Sequence, residues 1–100
     1  MIDRIREKGI ALTEYAIDLH DAWLAPLGFT LGSPRDADRR GAHVAVRHPD
    51  ARRLCPELIA AGVVPDFREP DSIRLGLSPL TTTFTDVWTG FGRLREFAAR

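Results

Sequence analysis

Apolar residues along this chain recur with two different periods. From Ile2 to about Trp23, the residues Ile2, Ile5, Leu12, Ala16, Leu19 and Trp23 return at three- and four-residue steps, and Asp3, Arg4, Arg6, Glu7, Lys8, Glu14, Asp18 and Asp21 fill the positions between. That spacing predicts a long amphipathic helix over roughly residues 1–24, weakened at Gly9 and ended by Pro26 and Gly28. Near the other terminus Phe84, Val87, Trp88, Phe91, Leu94 and Ala98 predict a closing helix over residues 83–100. Thr83 and Asp86 there have the spacing of a capping box.

Between these helices the period falls to two. Residues 43–47 set Val44 and Val46 against His43, Ala45 and Arg47; residues 72–78 set Ile73, Leu75 and Leu77 against Ser72, Arg74, Gly76 and Ser78. Both read as strands with one buried face. Residues 62–67 read as a brief strand that Pro65 confines to a sheet edge. Residues 49–61 read as a second helix with Leu54 and Leu58 inward and Gly62 as its stop. Pro56 lies inside it, so the helix either kinks there or begins its regular part there. A turn-rich connector, 28–40, surrounds a short apolar piece at 29–31. The order of elements predicts an α+β domain: a small sheet of short, mainly antiparallel strands with helices packed on one face.

Composition narrows what such a domain can do. One hundred residues hold a single domain, 1–100, with one modest core and no room for a large enclosed cavity. Acidic and basic residues balance at 14 each, so no global field draws nucleic acid or an anionic membrane. The pairs Arg39-Arg40 and Arg52-Arg53 are offset by Asp36, Asp38, Asp50 and Glu57, and no aromatic residues interleave with them for base stacking. No apolar run has the length of a membrane helix, and the first residues lack the apolar core of a signal peptide. With Cys55 as its one cysteine the chain fits a reducing, cytoplasmic setting.

Candidate chemistry is sparse. His20, His43 and His48 lack metal-ligand spacing and read as ordinary surface or strand-end histidines, so no metal site is expected. Cys55, between Leu54 and Pro56, reads as a half-buried structural thiol. There is neither a GxSxG elbow nor a glycine-rich phosphate loop, and Lys8 lies on a charged helix face where a lysine stays protonated and non-nucleophilic. No catalytic and no cofactor-binding residue is therefore expected. Arg74 stands apart. It sits mid-strand, and its same-face neighbours Ser72, Gly76 and Ser78 are small and uncharged. Such a guanidinium suits bidentate capture of an incoming carboxylate or phosphate. Spacing leaves the alternatives open: Arg74 pairs across the sheet with an acid such as Asp66 or Glu69, or lies in solvent.

Three stretches resemble the carboxy-terminal segment of kynureninases: residues 40–49 (RGAHVAVRHP), residues 58–68 (LIAAGVVPDFR), and residues 73–80 (IRLGLSPL) followed by residues 84–88 (FTDVW). The helix containing residues 8–15 (KGIALTEY) is similar to the one that joins that family's large and small domains. The resemblance implies the small domain of a class V, fold-type I enzyme that depends on pyridoxal 5'-phosphate, with residues 1–24 as a linker-type helix and the large cofactor-binding domain absent from these residues. Kynureninases are homodimeric hydrolases of tryptophan catabolism that split L-kynurenine into anthranilate and L-alanine. The resemblance further implies that Arg74 binds the substrate's α-carboxylate. The large domain carries the cofactor and its lysine, so these residues alone are expected to be without activity. Thr81 replaces a common aromatic residue, and Pro56 a helix former. A free-standing small-carboxylate-binding module, or the small domain of another class V enzyme such as a cysteine desulfurase, are the alternatives.

Overall fold

The computed structural model describes residues 2–36, 39, 41, 43–60, 65–69, 71–77 and 82–99, without the side chains of Ile2, Asp3, Glu57, Ile59 and Ala60. The expectations placed on Asp38, Arg40, Ala61, Gly62, Ser78, Thr81 and Arg100 lie outside these residues. Helix α1 spans Ile2–Leu19 and continues through a π turn, His20–Leu24, and a 3-10 turn, Ala25–Leu27. Strand β1 (Thr30–Leu31), strand β2 (His43–Arg47), helix α2 (Ala51–Ala60), strands β3 (Pro65–Arg68) and β4 (Ser72–Gly76), and helix α3 (Phe84–Ala98) follow. The four strands form one antiparallel sheet in the order β1-β2-β4-β3. This is the α+β arrangement that the alternating periods predict.

The π turn has a cause in the spacing. Buried positions along this first stretch run in fours: Leu12, Ala16, His20 and Leu24. Three four-residue steps overshoot three turns of an ideal α-helix by roughly 120°. A widened turn takes up the excess and keeps Leu24 in the core. It also moves Trp23 to a half-buried flank, whereas the three-and-four pattern places it in the stripe. Ile5, expected inward as well, is 42% exposed. Past the turns, Gly28 adopts φ +95°, a left-handed conformation that a side chain would strain, and it turns the chain into β1.

Strand pairing sorts the residues onto two faces. Val44 meets Leu75 and Val46 meets Ile73 in the central β2–β4 ladder, and all four pack with Leu12, Leu54, Leu58 and Phe91 in the core. Pro65 and Phe67 of β3 lie on that same face, opposite Leu75 and Ile73. Pro65 opens β3 at the sheet edge, as its missing N–H requires. The alternation of residues does not predict the short β1; where it ends, the Ser33 hydroxyl accepts from Ala45 N–H at 2.8 Å and Gly32 N–H donates to Ala45 C=O. Helix α2 runs through Pro56 rather than starting there. The capping box is present: Asp86 N–H donates to Thr83 Oγ1 and Thr83 N–H to Asp86 Oδ2.

Two polar clips hold the loops. His48 Nε2 lies 3.1 Å from the Leu27 carbonyl while its Nδ1 accepts from Asp50 N–H at 2.9 Å, so the ring carries its proton on Nε2 and stacks beside Phe29. Asp21, in the π turn, accepts from both terminal nitrogens of Arg35 at 2.9 and 3.0 Å and from His20 Nδ1 at 2.9 Å. The Arg35 bonds, followed by that of His20, lower the Asp21 pKa from 3.8 to about 2. A carboxylate depressed in the folded state stabilises it fully above its unfolded pKa, and that contribution disappears as pH falls through the folded value. Acid unfolding monitored by circular dichroism is therefore expected to show a stability loss between about pH 4 and pH 2 that is smaller in Asp21→Asn than in the parent. Equal pH dependence in the two proteins would show that the clip does not form in solution.

Candidate functional site

Among the described residues the helices pack on one face of the sheet, and the residues of the other face are half-buried or exposed. On that open face the register sets three rows: His43 opposite Gly76, then Ala45, Arg74 and Asp66 side by side, then Arg47, Ser72 and Arg68. Alternation alone puts Arg74 there, since its neighbours Ile73 and Leu75 are buried at 0% and 6% exposure.

Arg74 is partnered within the domain. Its Nη2 donates to Asp66 Oδ2 at 2.8 Å, the carboxylate directly across from it in the β3–β4 ladder. The small residues along β4 create no such pairing; the cross-strand register does. Of the alternatives left open by spacing, pairing with Asp66 is the one realised, and a guanidinium free of internal partners is not what the fold contains. Glu69 instead binds Arg52, whose guanidinium lies over the Phe67 ring.

Asp66 is shared. Arg68 donates to the same Oδ2 through Nε at 3.1 Å, with Nη2 at 3.0 Å. Arg74 first, then the nearby charge of Arg68, hold the Asp66 carboxyl below the ordinary carboxylate range. Arg47 donates to Asp71 Oδ1 at 3.0 Å. Among the described residues of this surface three guanidiniums thus face two carboxylates, and the pairs are half exposed, so each is weak on its own. One positive charge remains in excess. What the arrangement can do chemically is hold an anion: an incoming carboxylate competes with Asp66 for Arg74, and Arg68 keeps Asp66 paired when it is displaced.

The other candidates stay apart from this face. Cys55 is buried in α2, and burial raises its thiol pKa, so it is a structural thiol rather than a nucleophile. It is more deeply buried, at 5% exposure, than the half-buried position expected. His20 is buried rather than superficial, with Nδ1 on Asp21 and Nε2 without a hydrogen-bond partner. Among the described residues no group of three or more His, Cys, Asp and Glu side chains converges as a metal site requires. Among those residues, too, no helix is long and apolar enough to cross a membrane. Pyridoxal phosphate does not fit these residues either. Lys8, the one lysine, is on α1 beside exposed Arg6 and Glu7, on the far side of the sheet from Arg74.

The sequence and the fold both have counterparts among known proteins. Residues 5–94 match the family of kynureninase C-terminal domains. Over 87 residues, 87% of this chain, it is 42% identical to a kynureninase of Bacillus cereus and 44% identical to one of Geobacillus thermodenitrificans. The chain spans 20% of the length of each of these relatives. A solved structure titled "NIFS-LIKE PROTEIN" superposes on 97% of this chain and 29% of its own with a TM-score of 0.78; at 15% identity the likeness is one of fold. Sequence reasoning singled out Arg74 and named Asp66 among its possible partners, but it did not see Arg68 sharing that acid. The signal was present as the i, i+2 spacing of Asp66 and Arg68 in a strand, which puts both side chains on one face.

The shared ion pair has a direct check. In a carboxyl-detected NMR titration, Asp66 is expected to titrate below 3.8, and to move back toward it in Arg74→Ala. An Asp66 midpoint that ignores the loss of Arg74 would mean that the two side chains do not pair.

Proposed function

The chain belongs to the kynureninase C-terminal domain family, and on that premise we propose that it serves as the small domain of a kynureninase-like, pyridoxal-phosphate-dependent hydrolase. The substrate class is L-kynurenine, cleaved to anthranilate and L-alanine. Arg74 receives the α-carboxylate. A second, large domain supplies the cofactor and its lysine, the complete enzyme is a cytoplasmic homodimer, and these residues alone are inactive.

The observation that carries this reading is the surplus positive charge around Arg74 on a sheet face that no described element of the domain covers. A carboxylate that takes the Arg74 guanidinium gains a charge-assisted, bidentate pair, and fixing it orients the rest of a small amino acid for reaction. Asp66 keeps Arg74 extended over the sheet beforehand, which lowers the entropy cost of binding.

A large partner domain is supported by the aromatic ridge between α1 and α3. Trp88 is 53% exposed and Phe84 44%. Trp88 stands edge-on to Trp23 at 5.9 Å and Phe84 edge-on to Tyr15 at 5.6 Å. Both residues belong to the stripe that predicts α3, yet the domain's own core leaves them uncovered. Exposed large rings grouped in this way favour a surface made to be covered over that of a free-standing module.

The test replaces the matching carboxy-terminal segment of the Bacillus cereus relative with this chain. The chimera is expected to cleave L-kynurenine, and Arg74→Ala is expected to lower kcat/KM by about a hundredfold or more, the worth of a lost charge-assisted pair. Arg74→Ala at parental kcat/KM would overturn the role of Arg74. A folded, cofactor-loaded chimera without kynurenine cleavage would overturn the assigned reaction.

A further inference from the structure

Gly76 has no cause inside the described domain. Its φ is not positive, so no left-handed turn requires glycine, and a Cβ built on it would meet nothing within 4 Å. Glycine inside a strand lowers stability, and where neither conformation nor packing asks for it, the remaining physical reason is close approach of something from outside. Gly76 ends β4 two residues beyond Arg74 on the open face.

His43 borders the same space. It lies directly across from Gly76 in the β2–β4 ladder, and so diagonally from Arg74. Diagonal neighbours on one face of an antiparallel pair stand about 7–8 Å apart, a gap that long side chains close around a small anion. The ring is half-buried and rests over Gly41, where a Cβ would stand 3.6 Å from its Cε1 and Nδ1. Unlike His48, whose nitrogens hold backbone groups, and His20, whose Nδ1 holds Asp21, it makes no side-chain hydrogen bond to any described residue. The reading of His43 as an ordinary strand-end histidine does not account for that position.

We infer that His43 is a second binding residue: the carboxylate of the ligand lies over Gly76, held by Arg74 on one side and by an imidazole N–H of His43 on the other, with Gly76 bare so that it can approach the strand. This inference rests on the carboxylate-binding role of Arg74 and adds the residues that set how the acid end is seated. The ligand class is a small α-amino acid. A substituent at position 76 closes the seat, and a side chain at 43 needs a hydrogen-bond donor, not a charge.

The experiment uses the 100-residue chain, labelled for NMR, with L-alanine as probe and L-alaninamide, which lacks the carboxylate, as control. L-Alanine is expected to shift both the Arg74 guanidinium and the His43 ring signals, and L-alaninamide neither. His43→Leu and Gly76→Val are each expected to weaken L-alanine binding about five- to tenfold, the worth of one hydrogen bond or of the lost approach, while His43→Gln keeps it within about twofold. Gly76→Val is expected to melt no lower than the parent, because its side chain enters open space on a strand; that separates a binding role from a structural one. A response at Arg74 without one at His43, or His43→Leu binding like the parent, would overturn this inference and leave the Arg74 reading intact. No response at either residue would overturn both.

Discussion

The pairing of β2 with β4 fixes what each side of the sheet can do. Val44 against Leu75 and Val46 against Ile73 bury one face under the helices, and the same register places His43, Arg74 and Gly76 together on the other. A slip of one residue would exchange the faces, sending Arg74 into an apolar core and the valines into water. Burial of the valine–leucine side therefore holds the polar side in register. The polar face needs no network of its own to keep its shape, and its ion pairs can remain half exposed and exchangeable.

Much of this was legible in the chain, for reasons that can be located. Alternation in residues 72–76 is unambiguous because Ile73 and Leu75 are large and their neighbours are small or charged, so strand, face and the outward direction of Arg74 follow together. Thr83 and Asp86 form the capping box that their spacing specifies, because both partners lie within one turn. Pro65 lands on an edge strand since it can donate no ladder hydrogen bond. These are local constraints, and the sequence carries local constraints directly.

What was not legible depends on residues brought together from afar. Asp66 reaches Arg74 only through strand register, and spacing could name it no more firmly than Glu69. The π turn arises because four-residue steps accumulate across Leu12, Ala16, His20 and Leu24, and each single step is compatible with an ordinary helix. The stripe on α3 indicated that Phe84 and Trp88 are apolar and in line with the core residues, which is true, but only packing decides that Val87, Phe91 and Leu94 exhaust the available interior. The Arg35–Asp21–His20 clip joins a connector to a helix across 14 residues, a distance at which charge patterning has no predictive reach.

On the proposed reading, the double allegiance of Asp66 would also govern how readily an acid at Arg74 comes and goes. An arginine with a private carboxylate would leave that carboxylate stranded each time a ligand took its place, and every exchange would carry the desolvation cost of an orphaned charge. Here Arg68 grips the same oxygen, so the swap at Arg74 is a relay in which no ion is ever stripped of a counter-ion. Reversible occupancy, rather than the tightest grip, is what such wiring would favour in the seat proposed for the acid.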